Sequence, residues 1–431
     1  MKRKAMQYFL EWKTNEDRKP LVLKGARQVG KTWLMKEFGR SYYEETFYFN
    51  FDEESELKSI FEINKDPHRI VELLGLLRGK KILPGKHLIL LDEVQECPEA
   101  LNSLKYFCEN AGEYHVISAG SLLGTLLAKP KSYPVGKVNL LSIDPMTFDE
   151  FLDATDEGLY SFYMSVTSGR QVEEIFHRKL LEAYKYYLII GGMPECVASW
   201  IQMKDPAKVE TLQREIISLY EHDFSKYNGK VNSGRILMVF RSIVSQLARS
   251  NGKFMYGVVK EGARAREFEE AIEWLVSAGM ILRVFNVAKP ECPLTAYEQL
   301  SHFKLYLFDV GLLKQMAGVT NESILIKTDF PFMGSLTENY VLQQIRGLYP
   351  VTPKYYAPTS TREIDFVVQD ETVIVPIEVK AGGNVASASF KEYVSKYHPA
   401  KAIRFSTLGI QKNDGFMNLP LYLAGRMREL M

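Results

Sequence analysis

The chain has 431 residues, too many for one ordinary core at the usual ~100–200 residues per domain, and its 46% apolar and 25% charged side chains are the mix of a folded globular protein. Its 54 basic residues face 53 acidic ones, a formal charge of +1, which excludes a global field for nucleic acid or anionic lipid and leaves any basic surface local. Cys97, Cys108, Cys196 and Cys292 form no CxxC pair of the zinc or dithiol kind, and reduced core thiols are expected.

Residues 1–8 start basic and turn amphipathic, and Trp12 and Lys13 stand where a signal peptide needs an apolar stretch. The most apolar runs, 88–91 and 186–190, fall far short of the ~20 residues of a membrane span. A cytoplasmic protein with no membrane partner is expected.

Residues 20–24 are a short apolar run, followed by Gly25-Ala26-Arg27-Gln28-Val29-Gly30-Lys31-Thr32 and a helical pattern from Trp33 onward. Strand, glycine loop and helix in this order, with the spacing GxxxxGK[ST], suit phosphate chemistry. Glycines let backbone N–H groups approach the phosphates, and the helix presents its positive end to them. Residues 25–33 are the expected ATP contacts, with Lys31 reaching the β and γ phosphates and Thr32 holding Mg²⁺. His87-Leu88-Ile89-Leu90-Leu91-Asp92-Glu93 is too unbroken an apolar run for a half-exposed strand and ends in two carboxylates. Asp92 is expected in the Mg²⁺ shell, and Glu93 beside the water that attacks the γ-phosphate. Further strands at 46–51, 115–119 and 137–143 complete a five-stranded parallel sheet with helices on both faces. Ser118 or Ser121, between the two motifs, is the candidate nucleotide-sensing side chain, with helix capping as the alternative role.

From 149 to about 227 the pattern is helical and reads as a lid, with Gly191-Gly192-Met193-Pro194-Glu195 as a turn and a polar cluster at 220–223 ending a helix. From 233 to 287, three helix-sized segments lead into a strand at 280–285, the order of a winged helix. Lys260, Arg264 and Arg266 favour DNA there, while Glu261, Glu267, Glu269 and Glu270 dilute the charge, and packing between domains is the alternative.

The last segment has a helix opened by Ser335-Leu336-Thr337-Glu338, then two strands holding Asp365 and Glu378-Val379-Lys380. Twelve residues separate Asp365 from Glu378, and Lys380 shares a strand face with Glu378. This is the D…ExK spacing of metal-dependent nucleases. Asp365 and Glu378 would hold one or two divalent ions, Glu338 would complete the shell, and Lys380 would orient water or meet phosphate charge. A surface ion pair explains the same spacing.

Taken together, the loop 25–32, LLDEVQECP at 90–98, GGMPE at 191–195, LFDVGL at 307–312, the helix start 334–340 and PIEVK at 376–380 resemble one bacterial and archaeal family. That family joins an AAA-type P-loop ATPase to a C-terminal restriction-endonuclease-like domain of unknown function. The resemblance implies ATP binding at Gly25, Gly30, Lys31 and Thr32, Walker B roles for Asp92 and Glu93, and nuclease-like positions at Asp365, Glu378 and Lys380. The family's Thr-Gly-Ser after the fourth strand and Gly-Arg before the fifth are Ser118-Ala119-Gly120-Ser121 and Gly136-Lys137 here, so sensor and arginine-finger roles are not carried over.

The expected fold is α/β: a P-loop ATPase core at 1–148, a helical lid at 149–228, a winged-helix module at 229–290 and a restriction-endonuclease-like mixed α/β domain at 291–431. Two functions remain open. One is an ATP-hydrolysing protein acting on DNA through the nuclease-like domain. The other is a nucleotide-dependent signalling or defence switch whose C-terminal domain binds a protein partner and cuts nothing. Either is compatible with an oligomer.

Overall fold

Apolar runs with no polar alternation become the centre of a parallel sheet, because only a sheet covered on both faces buries every side chain of a strand. The computed structural model describes residues 1–121, 123, 136–169, 171–249, 252–326, 330–384 and 386–431, with backbone alone at 225–231. The chain divides into two compact units, Lys2–Asp144 with Trp274–Met280, and Pro145–Glu273 with Ile281–Met431.

In the first unit, β1 (Leu21–Lys24), β2 (Glu45–Asn50), β3 (His87–Asp92), β4 (His115–Ala119) and β5 (Asn139–Ser142) form one sheet in the order β2-β3-β4-β1-β5. Every pairing in it is parallel. All six residues of β3 are buried, whereas β5, at the edge, alternates half-buried and exposed. Phe47, Phe49, Ile89 and Leu91 pack on Ile70, Leu74, Leu104 and Phe107 from the helices Pro67–Leu77 and Pro98–Asn110. The pairings Asn50↔Asp92, Leu91↔Ser118 and Leu23↔Ala119 bring the carboxyl ends of four strands level, where open α/β sheets bind ligands.

The second unit opens with the helices Phe148–Thr155, Glu157–Ser165, Glu174–Ile190 and Pro194–Met203. A helical span, Pro206–Leu247, then folds back on itself. Arg241 pairs with Glu221 at 2.7 Å, and the rings of Phe224 and Phe240 lie 5.3 Å apart. On a straight helix at 1.5 Å per residue those pairs would be about 30 and about 24 Å apart. The reversal lies between Phe224 and Phe240, after the polar cluster at 220–223.

The helix Ala265–Ser277 leads into β6 (Ile281–Val287), which pairs antiparallel with β7 (Glu298–Leu307). The strand expected at 280–285 is thus one arm of a hairpin. The far edge of β6 meets β8 (Lys354–Thr359), so both strands join a sheet with the C-terminal segment, and the expected boundary at 290 falls inside the hairpin. With β9 (Arg362–Asp370), β10 (Val373–Val379), β11 (Ile403–Ser406), β12 (Gln411–Asn413) and β13 (Phe416–Pro420), the order is β12-β13-β11-β10-β9-β8-β6-β7. Three strands, β8 to β10, therefore follow the helix Met333–Ile345 where two were expected. Cys97 and Cys196 are buried as expected, but Cys292 is exposed and is no core thiol. Among the described residues no helix is long and apolar enough to cross a membrane.

The GGMPE and LFDVGL segments meet in this second unit. Asp309 is fully buried, and its carboxylate accepts the N–H of Gly192 at 2.7 Å, the N–H of Leu312 at 3.0 Å and the amide of Gln343 at 3.2 Å. Burial nevertheless pushes its pKa up, with those hydrogen bonds pulling it back. Gly191 has φ +74, and a Cβ there would stand 2.3 Å from Asp309 Oδ1, so the turn needs glycine on both counts. Asp309→Ala would strand three buried donors at about 1–3 kcal/mol each. The expected result is a loss of at least about 3 kcal/mol of unfolding free energy in denaturant titration; a loss within the ±0.5 kcal/mol of ordinary surface changes would contradict this role.

Candidate functional site

In the first unit the glycine loop joins β1 to the helix Lys31–Tyr42. Gly25 has φ +146, and a Cβ there would lie 2.1 Å from the Ile143 carbonyl oxygen, so only glycine fits at the start of the loop. Gln28 and Gly30 are also left-handed, at φ 62 and 92, a backbone that curls the loop before the helix starts at Lys31. Lys31 is buried, and its Nζ donates to the carbonyls of Gly25 at 2.9 Å and Ala26 at 2.7 Å. Burial pushes its pKa down to about 8, against the raising influence of Glu93 and Asp92, while Arg27 adds to the lowering. Trp33, expected among the ATP contacts, is exposed on the same helix.

The two phosphate motifs meet at Asp92. Its Oδ2 accepts Thr32 Oγ1 at 2.7 Å and the Tyr48 hydroxyl at 3.0 Å, and its Oδ1 accepts the Glu93 N–H at 3.0 Å. Burial and then the Asp92 charge raise the Tyr48 hydroxyl pKa. Glu93 sits at φ 51, with its carboxylate taken by the Gln95 amide and, at 3.4 Å, by Ser121 Oγ. Of the two serine candidates, Ser121 therefore reaches Glu93, whereas Ser118 is fully buried with no partner for its hydroxyl. Trp274–Met280 belongs to this unit as well, and Gly279 packs against Gly25 and Ala26. Tyr48 and Gln95 were not legible in advance: Tyr48 reaches Asp92 only through the β2–β3 register, and Gln95 through the turn after β3.

In the second unit Asp365 on β9 and Glu378 on β10 come together. The antiparallel ladder between these strands ends at Ile377↔Phe366, and beyond it Asp365 Oδ2 accepts the Val379 N–H at 2.7 Å in place of a backbone carbonyl. Lys380 Nζ pairs with Glu378 Oε1 at 2.7 Å, while Glu378 Oε2 is buried without a partner. Burial, followed by the charges of Glu378 and Glu338, pushes Asp365 well above the usual carboxylate range. For Lys380 burial works against the charge, yet Glu378, Asp365 and Glu338 hold its pKa up.

Three residues that sequence reasoning passed over complete the cluster. Tyr306 on β7 donates to Glu338 Oε2 at 3.0 Å. Lys304, two residues earlier on the same strand and 2% exposed, pairs with Glu363 and lies 3.8 Å from Glu338. Although burial opposes it, the Lys304 charge is held well above the usual lysine range by Tyr306, Glu338, Glu363 and Asp365. Glu363 is raised by burial first, against the pull of Lys304. The period-2 rule was the missed signal, since it puts Glu363 on the Asp365 face and Lys304 on the Tyr306 face.

Among the described residues no three His, Cys, Asp or Glu side chains are gathered into a ready metal-ligand set. An orphaned buried carboxylate oxygen beside a second carboxylate nonetheless suits a divalent cation, because a buried anion costs several kcal/mol unless something positive meets it. The loop after Lys380, Ala381 to Gly383, borders a cleft of about 660 Å³ that Arg178, Tyr184 and Lys185 also line. Lys260, Arg264 and Arg266 are all exposed, among the exposed Glu261, Glu269 and Glu270.

Three family models match successive segments of the chain. Residues 17–152 match the family model described as AAA domain, and this segment is an AAA-type P-loop ATPase domain. Residues 181–323 and 333–422 match two models described as domains of unknown function, DUF8612 and DUF4143. No curated protein matches the chain. Similar solved structures include the Walker-type ATPase PABY2304 of Pyrococcus abyssi, 14% identical over 73% of this chain and 95% of that one, with a TM-score of 0.46. The ORC1 protein of Aeropyrum pernix, solved in complex with DNA, is 13% identical over 74% and 91%, with a TM-score of 0.29. The signal transduction ATPase PH0952 of Pyrococcus horikoshii, with a tetratricopeptide repeat sensor, is 13% identical over 81% and 46%, with a TM-score of 0.27.

A lysine with a pKa lowered to about 8 is part neutral above that pH and must regain its proton to meet a phosphate. Titration calorimetry of ATP binding at pH 8.5, in buffers of different ionisation enthalpy, should show proton uptake that vanishes at pH 6.5 and in Lys31→Ala. Equal uptake in Lys31→Ala would assign the proton elsewhere.

Proposed function

We propose that the chain binds ATP with Mg²⁺ at the loop 25–32, hydrolyses it, and uses that cycle to regulate a metal-dependent phosphodiester-cleaving site built on Asp365, Glu378 and Lys380. The second half rests on one observation: Glu378 keeps a buried, unpartnered oxygen beside Asp365 while its other oxygen holds Lys380. A plain surface ion pair would leave neither carboxylate buried.

At the nucleotide site, Thr32 and Asp92 are already joined and would hold Mg²⁺, which supplies charge neutralisation between the β and γ phosphates. Lys31 turns from its own loop carbonyls to the phosphates. Glu93 leaves Gln95 and Ser121 to accept a proton from the attacking water. In the C-terminal domain, Asp365, Glu378 and Glu338 would hold a divalent ion that polarises the phosphodiester. Lys380, still paired with Glu378, orients the water. Single-stranded or locally opened DNA suits the cleft beside Ala381, with Arg178 and Lys185 as its phosphate contacts.

The near-neutral formal charge of +1 and the absence of a gathered ligand set among the described residues favour the second reading, a nucleotide switch whose C-terminal domain binds a protein and cuts nothing.

Supercoiled, linear and branched DNA incubated with Mg²⁺ or Mn²⁺, with and without ATP, separates the two. Cleavage by the wild type, abolished in Asp365→Ala and made insensitive to ATP in Lys31→Ala, is the expected outcome. No cleavage under any condition, with ATP turnover retained, leaves the switch. For the ATPase itself, Glu93→Gln should lower kcat about 10²–10⁴-fold with nucleotide affinity kept, as loss of a general base does; unchanged turnover would remove Glu93 from the chemistry.

A further inference from the structure

The acidic cluster of the C-terminal sheet contains a cation of its own. Glu338, Glu363, Asp365 and Glu378 bring four carboxylates to one end of β9 and β10, and Lys304 and Lys380 bring two ammonium groups. These ammonium groups are differently placed. Lys380 is 28% exposed at its side chain and holds one oxygen of Glu378, while Lys304 is 3% exposed and lies between Glu363 and Glu338. Lys304 also stands 5.3 Å from the centre of the Tyr355 ring, a further site of negative potential. Two-metal sites place their ions ~3.5–4 Å apart, each held by carboxylates that the pair shares. Here a point charge on a buried stem already bridges Glu338 and Glu363, with Asp365 among the charges that act on it.

We propose that the cluster takes a single divalent cation, at Asp365 and the free Glu378 oxygen, because the Lys304 ammonium permanently fills the place of a second. This rests on the metal-dependent reading of the same site and settles the number of ions that reading leaves open.

Charge supports the count. Four carboxylates and two ammonium groups leave a formal charge of −2, which one divalent ion cancels and a second would overshoot. Arg404, opposite Glu378 in the β10–β11 pairing, directs its Nε to Asn418 Oδ1 at 3.0 Å and stacks over the Phe416 ring. Including it leaves −1, which one divalent ion exceeds by one and a second by three, so one remains the closer balance. A lysine also differs from a metal in what it permits: it offers donors and no open coordination position, so water and phosphate oxygens bind at the Asp365–Glu378 side alone.

The test counts ions rather than turnover. Mn²⁺ is titrated into the nucleotide-free full-length chain and the free ion read by electron paramagnetic resonance. Ions lost on the double variant Glu338→Gln, Glu378→Gln are those of the cluster. One such ion is expected in the wild type and in Lys304→Arg, and two in Lys304→Met, where Glu338 and Glu363 lose their cation. Two in the wild type overturns the inference alone, with or without a foldable Lys304→Met. A folded Lys304→Met that still binds one also overturns it. No ion in the wild type removes the metal-dependent reading underneath and the inference with it.

Discussion

A buried carboxylate that accepts three hydrogen bonds fixes where the C-terminal site is built. Asp309 follows β7 by two residues, caps the helix Val310–Met316 and ties it to the Gly191-Gly192 turn and to Gln343 on the helix Met333–Ile345. Gln343 returns a bond through Oε1 to the Val310 N–H at 2.9 Å. One turn earlier, Asn339 clamps the last residue of β7, accepting from Leu307 N–H at 2.9 Å and donating to its carbonyl at 3.0 Å. An edge strand with its backbone taken by side chains cannot slip in register. Tyr306 and Lys304 therefore face Glu338 from a set position.

The nucleotide unit uses a different device. Its Walker motifs are already stitched at Asp92, which accepts from Thr32 of the loop, Tyr48 of the neighbouring strand and the backbone of Glu93. A carboxylate with three donors is held in place before any metal arrives. Glu93, by contrast, is held by Gln95 and Ser121, neutral groups that give up a carboxylate at little cost. The rigid member of the pair is the expected metal ligand, and the releasable one is the expected base.

The parts legible in advance were those with a local physical cause. The glycine loop, the buried run ending in Asp92 and the order of helices and strands follow from periodicity and φ requirements within short windows. The D…ExK spacing foretold a shared face, and Asp365 and Glu378 do meet at the end of a ladder. What stayed hidden depended on pairings far apart in sequence. Tyr48 meets Asp92 across 44 positions, and Lys304 meets Glu363 across 59. The boundary at 290 was misplaced because nothing in residues 280–287 announces that β8, which begins at Lys354, will pair with β6. Asp309 entered only as part of the LFDVGL segment, and its burial and bonds show that it is a fastener.

The two buried lysines show how one side chain is turned to opposite ends. Lys31 donates to two carbonyls, with Glu93 and Asp92 acting only through space, so burial wins and its pKa falls to about 8. Lys304 touches a carboxylate directly and has others close by, so attraction wins over burial and its pKa rises. The first is a cation short of counter-charge, and an arriving triphosphate supplies it; the gain in binding is the charge the folded loop withheld. The second already has its counter-charge and gains nothing from an arriving anion. A lysine left wanting binds ligand, and a lysine already satisfied builds the site in which something else binds.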